Sequence, residues 1–303
     1  MIRATLLTLL FFVSSVQAAT VVVLQGNESP FGKRYFCGFS SSATEHLSAF
    51  QYDAKKSKAI FQQIQKLAPD IVFSIGEVAV KDLAERLRAT PIIVSDFHAG
   101  DAAKRANVVL VESDLPIGAG LTLMTAIFPT KKTVGTIYNP KISQSSHDDL
   151  VEETGKLGLR LASLKVDSPQ EVQAFISSFE GKIDMFYWLH DSTTSVEPAL
   201  SEIYTFAERH GVPVISLDAS HATKGALLSV SVDPFKLGEQ AWKTAAAILK
   251  DGKIPQMPIG VQPGQLTVSI SLKAASKFNI DANALSNFLQ QGAKLGYSVR
   301  VEP

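Results

Sequence analysis

Short apolar runs alternate with longer stretches in which apolar residues recur every three or four positions. The runs at 20–25, 71–74, 92–95, 108–111, 133–138, 159–166, 183–189, 214–217 and 226–232 read as strands. The stretches 54–67, 77–89, 145–157, 169–179, 198–210 and 234–250 read as helices, several of them opened by Ser or Pro. Strand and helix in this rhythm predict an α/β fold with parallel sheets covered by helices on both faces.

The pattern is written twice. "APDIVFSIGEVAVKDLAERLRATPIIVSDFHAG" and "GKIDMFYWLHDSTTSVEPALSEIYTFAERHGVPVISLDASHAT" both run Asp, apolar strand, polar turn, helix and a Pro-led strand. The first copy ends in Ser95-Asp96 with His98 following; the second ends in Ser216-Leu217-Asp218 with His221 following. Each then closes on a strand and an acid before proline, "VESDLP" and "VSVDPF". Two copies predict two similar lobes, one formed by 19–115 plus 234–303 and the other by 116–233, with Pro116 and Pro234 at the breaks and the junctions acting as a hinge.

Outside this pattern lies the N-terminus, "MIRATLLTLLFFVSSVQAAT". Arg3 precedes the apolar stretch Leu6 to Val13, and Val16-Gln17-Ala18 presents small residues where signal peptidase reads. A signal peptide over 1–18, cleaved near Ala18, and a periplasmic location are expected; the apolar run falls short of the ~20 residues a membrane span needs. Cys37 is the single cysteine, so no intramolecular disulfide can form, and in "KRYFCGF" it reads as a small core residue. With 29 basic and 29 acidic side chains the formal charge is zero, which gives neither nucleic acid nor an anionic membrane any electrostatic hold.

Candidate chemistry sits at strand ends. In open parallel sheets, ligands bind beyond the carboxyl ends of the strands, where loops meet helix N-termini. The run "KIDMFYWLHDSTTSVEPAL" breaks into Asp191, Ser192, Thr193, Thr194 and Ser195 at such a place, and its counterparts are 25–29, 74–77, 95–98, 138–146 and 216–220. Hydroxyls and unpaired backbone N–H groups at helix starts suit a carboxylate, while a nearby acid suits an ammonium. Taken singly, Ser or Asp before a helix is an N-cap worth ~1 kcal/mol. Their concurrence at strand ends in both halves, with aromatic and His neighbours, points to a ligand. His98, His190 and His221 beside Asp96, Asp191 and Asp218 keep zinc as an alternative, although no two His have local ligand spacing. The chain holds no G-x-S-x-G elbow, and "GEVAV" and "GAGL" fall short of G-x-G-x-x-G, so neither a hydrolase nor a dinucleotide fold is supported.

The stretches "VGTIYNPKISQSSHDDLVEETGKLGLRL", "DSTTS", "GVPVIS" and "KGALLSVSVDPFKLGEQAWKTAAAILKDGKIPQMPI", with the closing "TVSISLKAASKFNIDANAL", resemble ABC-transporter substrate-binding proteins whose characterised members bind tryptophan or other aromatic amino acids. The resemblance runs through nearly all of the mature chain and is strongest from about residue 130 onward. It implies a type I periplasmic binding protein: two Rossmann-like lobes, three crossovers and a small ligand between the lobes. An ABC permease at the inner membrane is the implied partner, with a monomer expected, no cofactor, no nucleic acid and no enzymatic reaction. The same fold serves proteins that report a ligand to a membrane sensor. The small-residue turn of the family matches Ser74-Ile75-Gly76-Glu77; its Asn-Pro and Ser pair match Asn139, Pro140, Ser145 and Ser146; its acid-polar-Thr turn matches Asp191, Ser192 and Thr193. Glu77 stands where relatives have a small apolar residue or Thr, and the first loop, "QGNESPFGKRYFCGF", is unlike theirs. On this reading Ser145, Ser146 and the Asp191 turn take the ligand's polar head group, Glu77 or Asp96 is the acid of the first lobe, Phe97 and Tyr138 supply apolar walls, and Asp218 is the second copy's counterpart of Asp96.

Overall fold

The computed structural model describes residues 19–26, 29–76, 80–95, 105–112 and 115–303, with the backbone alone at 219 and 220. The expected signal segment, 1–18, lies outside the described residues. Two sheets organise the chain. The first contains β1 (Val21–Gln25), β2 (Leu47–Gln51), β3 (Ile71–Ile75), β4 (Ile92–Ser95) and β5 (Val108–Leu110), all parallel in the order β2-β1-β3-β4-β5. Val21 to Leu24 are fully buried because helices cover both faces of this sheet, which is why the run carries no polar alternation.

Two of those helices, α1 (Pro30–Ser42) and α8 (Pro234–Asp251), lie on one face, and α2 (Ser57–Lys66) and α3 (Val80–Arg86) on the other. The first loop expected from the sequence, "QGNESPFGKRYFCGF" at 25–39, instead holds most of α1. Ser29 caps it, its hydroxyl accepting from Gly32 N at 2.9 Å, and Pro30 starts its first turn. Two glycines in thirteen residues masked the helical signal, while Tyr35 and Phe39, four positions apart, form its buried face. Cys37 points away from that face and is exposed, which corrects the reading of it as a core residue.

The second sheet runs β12-β11-β10-β9-β8-β6-β7, from β6 (Thr133–Tyr138), β7 (Arg160–Lys165), β8 (Met185–Trp188), β9 (Val214–Ser216), β10 (Leu228–Val232), β11 (Leu266–Ser271) and β12 (Ser298–Glu302). On it pack α4 (Ile117–Ile127), α5 (Pro140–Lys156), α6 (Pro169–Phe175), α7 (Ala199–His210), α9 (Leu272–Lys277) and α10 (Ala282–Lys294). The assignment of all of 234–303 to the first lobe is corrected here. α8 and the segment holding Ile254, Ile259 and Val261 pack against the first sheet, whereas β11 pairs antiparallel with β10 (Leu228↔Ile270) and β12 parallel with β11 (Thr267↔Ser298). After α8 the chain crosses a third time, and periodicity carries no information about which sheet edge a strand joins.

The three crossovers run side by side. Ile259 N donates to Leu110 O at 2.8 Å, Glu112 N donates to Ile259 O at 3.0 Å, and Asp233 N donates to Gln265 O at 2.8 Å. Two of them leave the carboxyl ends of β5 and β10, so the carboxyl ends of both parallel strand sets lie on the side where the lobes adjoin.

The α1–α8 contact is the tightest in the first lobe. A methyl group at Gly38 would collide with the Phe235 carbonyl, and one at Gly238 with the Tyr35 carbonyl, so the helices touch backbone to backbone. Gly155, near the end of α5, has nothing within 4 Å of where its Cβ would stand. Gly238→Ala should therefore cost roughly 1–3 kcal/mol through overpacking, while Gly155→Ala should gain roughly 0.5–1 kcal/mol through helix propensity. Urea midpoints at unchanged m-value check both, and an unshifted midpoint for Gly238→Ala would show that the helix pair separates without cost.

Candidate functional site

At the carboxyl end of β6 the chain turns at Asn139, whose side chain accepts from Lys141 N at 3.0 Å and caps α5. The helix thus starts at Pro140, five residues before the start read from the sequence, but Ser143 breaks its helical dihedrals (φ −124°, ψ 26°). Ser145 and Ser146 stand just beyond that kink, Ser145 exposed and Ser146 half-buried. The amides of Lys141, Ile142 and Ser143 are all bonded to Asn139, so at this helix start the two serine hydroxyls are what stand where the family resemblance puts an anionic group.

β8 ends next to this turn, and Asp191 joins the two. Its carboxylate is 1% exposed and accepts from Asn139 N at 2.6 Å, from the Ser143 hydroxyl at 2.5 Å and from Thr193 N at 2.8 Å. Asn139 Nδ2 donates to Thr193 Oγ1 at 3.0 Å, and Trp188 Nε1 donates to Thr194 Oγ1 at 3.1 Å. Both Asp191 oxygens are therefore spent inside the protein, on a knot that fixes the β6–α5 and β8–α7 loops against each other. Asn139 and Thr193 are buried within it, and Ser192 at its apex is exposed. Ser143 was missed in the sequence; its signal was the Asn139-Pro140 helix start, which places residue 143 one turn on and facing the same way.

Tyr138 is 1% exposed and stacks under His147, ring centroids 4.0 Å apart at 10°, so it packs in the core of the second lobe. His147 is held in place by Ser163 Oγ, 2.8 Å from its Nε2. In the first lobe, Ser74 is fully buried at the end of β3 and its hydroxyl has no partner among the described residues. Gly76 follows with φ 77°, a left-handed turn that favours glycine, and donates to Ser95 O at 3.2 Å. Tyr35 reaches the same end of the sheet from α1: burial pushes its pKa well up, with the Ser95 side chain partly opposing that shift. Glu77, Asp96, Phe97 and His98 lie outside the described residues.

The second copy of the repeated loop is organised around His221, 3% exposed, with Nδ1 2.8 Å from the Ser216 hydroxyl and its ring edge-on to Trp188. Asp218, at the mouth of this loop, is half-exposed, 3.9 Å from His221 Nε2, and donates from its own backbone N–H to Ser216 Oγ at 3.1 Å. His190 is exposed on the neighbouring loop. Among the described residues no three His, Cys, Asp or Glu side chains converge as a metal site would require.

Replacing Asp191 by Ala leaves three donors in a closed space without their acceptor. A loss of roughly 1.5–3 kcal/mol of stability is expected, with faster amide exchange at Asn139 and Thr193. Unaltered exchange at those amides would show that the knot does not depend on the carboxylate. For His221, burial lowers the pKa from 6.5, outweighing the opposing pull of Asp218. The unfolded chain therefore takes up the proton first: this contribution to stability is complete above about pH 6.5 and is lost as pH falls through the lowered native value. Urea melts across that window should show a slope that flattens in His221→Gln; an identical slope in the variant would assign the pH dependence elsewhere.

This geometry has known counterparts. Residues 44–289 match the family model described as ABC transporter substrate binding protein. Among solved structures, the ligand-free, open form of a substrate-binding protein with adhesive properties from Clostridium difficile superposes with TM-score 0.73 at 20% identity, covering 94% of this chain and 100% of that one. An ABC domain in complex with L-Trp from Streptococcus pneumonia superposes with TM-score 0.61 at 19% identity, over 94% and 100% of the two chains. A conserved domain protein from Vibrio cholerae gives TM-score 0.57 at 23% identity, with the same coverage. Sequence comparison with curated proteins finds no significant match. The model match over most of the chain, on two Rossmann-like lobes of type I periplasmic-binding architecture, places this chain in the ABC transporter substrate-binding protein family.

Proposed function

We propose that the chain captures a small zwitterion or carboxylate, an amino acid being the leading case, between its two lobes and hands it to an ABC permease after export to the periplasm. The observation that carries this reading is the meeting of the two sheets' carboxyl ends. One presents the buried, unpartnered Ser74 hydroxyl; the other presents the kinked start of α5 and the exposed Ser192. Family membership supports the ligand-binding role, and the L-Trp held by the Streptococcus relative supports an amino acid as the ligand class. Ser145, Ser146 and Ser192 take the anionic group. Asp191, Asn139 and Thr193 position them without touching the ligand. The first lobe contributes Ser74, Gly76 and one acid, Glu77 or Asp96, with Phe97 as an apolar wall; Asp218 borders the site from the second lobe.

Mechanism follows from connectivity. Contacts to both lobes are available only when they close, so a ligand that makes them shifts the balance towards the closed form, and the side-by-side crossovers at 110–112, 232–234 and 259–265 carry the rotation. The closed form is what a membrane partner can distinguish from the empty protein.

A thermal-shift screen of amino acids and small carboxylates on protein refolded free of ligand tests the reading. A true ligand at 100 times its Kd should stabilise by about 2.7 kcal/mol, and small-angle scattering should show a smaller radius of gyration at saturation. A ligand that stabilises with no change in radius would refute closure, and no stabilisation by any zwitterion or carboxylate would refute the ligand class. Loss of uptake of the identified ligand on deleting the protein separates delivery to a permease from reporting to a sensor.

A further inference from the structure

β10 and β11 alternate with unusual strictness. Leu228, Val230, Leu266, Val268 and Ile270 face the core of the second lobe, and every residue between them on the other face, Ser229, Ser231, Thr267, Ser269 and Ser271, carries a hydroxyl. A sheet destined for a covering helix would be apolar on that face as well. The hydroxyls instead floor a groove of about 740 Å³, bordered by the end of α7, the segment 222–225, α9 and the last residues of β12. The groove runs along both strands, from Ser271 beside Leu227 at the start of β10 to the Ser231–Thr267 pair near its end, and shares no lining residue with the Asp191 knot.

This floor is built to bond something. Ser229 and Thr267 are more than nine-tenths buried as residues and line the groove; their hydroxyls bond no described residue and open onto the groove. The Tyr204 hydroxyl, in the groove wall, is buried without a partner among the described residues. A buried hydroxyl left unpaired costs about 1–3 kcal/mol, so the Tyr204 hydroxyl, in the same groove as the open Ser229 and Thr267 hydroxyls, marks a place for an outside partner. The charges around it are uneven: Lys224, Lys273, Lys277 and Arg300 face two acids, Glu208 and Glu302. Glu208 is held by Lys277 and Glu302 accepts from the Ser269 hydroxyl, which leaves Lys224, Lys273 and Arg300 without a close ion pair among the described residues. Arg300 and Glu302 lie beyond residue 289, where the family match ends.

We propose that the outer face of the second lobe is a second binding site, separate from the interlobe one, for a small hydroxylated anion such as a sugar phosphate or sugar acid. The unpaired floor hydroxyls and Tyr204 pair with the ligand's hydroxyls, and Lys224, Lys273 and Arg300 pair with its anionic group. The volume suits a ligand of that size.

Glucose 6-phosphate, with glucose and inorganic phosphate in parallel, is the probe, read by calorimetry and by amide NMR shifts of the whole mature chain. Saturable binding of glucose 6-phosphate, tighter than either fragment and with shifts at 229–231 and 267–271, is expected. Thr267→Val, which keeps shape and strand propensity, and Arg300→Gln should each weaken it about tenfold while leaving the melting temperature of the free protein nearly unchanged. Absence of saturable binding would mean that water alone satisfies the floor and would overturn the proposal. So would shifts confined to 139–146 and 191–195, which place the probe in the interlobe site, or an affinity untouched by both variants. Failure of the interlobe reading would leave this result unaffected, because no residue is shared.

Discussion

Two helices in backbone contact set the geometry on which the rest depends. α1 begins in the first lobe's own sequence, whereas α8 arrives from the second lobe directly after β10, and the pair can share one face of the first sheet only because Gly38 and Gly238 meet where any side chain would collide. Leu237, Ala241, Trp242, Ala245 and Ile248 then bury α8 against β1 and β3. This packing binds the chain beyond 234 into the first lobe and forces it to cross back to reach β11. The crossovers end up adjacent because one helix is tied so firmly on the far side of them.

The second constraint is electrostatic. A buried carboxylate persists only when its oxygens are occupied by donors, and Asp191 takes two backbone N–H groups and a hydroxyl from loops that are distant in sequence. The knot ties the start of α5 to the loop after β8, so the hydroxyls beyond the Ser143 kink are held in fixed positions. The contrast with Ser74 is informative. Its hydroxyl is as buried as the Asp191 carboxylate, yet it has no partner among the described residues.

The hydroxyl face of β10 and β11 shows how one strand serves two purposes. Its apolar side completes the core of the second lobe with Val230 and Val268, while its polar side cannot bury itself under a helix. Relieving that face requires water or a ligand, and the neighbouring cations bias the choice toward an anion.

Much of this was legible in the chain. Alternating apolar runs and amphipathic stretches determine parallel α/β layers, since a strand buried on both faces must be apolar throughout and a covering helix needs one apolar stripe. The doubled "VESDLP" and "VSVDPF" junctions announce two units and point to where the chain passes between them. Asn139-Pro140 likewise marks a helix start through local capping and a fixed φ. What only the tertiary structure decided is everything that depends on the path of the chain between elements. Strands 266–271 and 298–302 join the second sheet because the α1–α8 packing turns the chain back. Asp191 serves as a brace because Asn139 and Ser143 are brought to it from some fifty residues away. Neither follows from periodicity: local patterns state which face of an element is apolar, whereas edge pairing and long-range hydrogen bonds are settled by which elements meet in space.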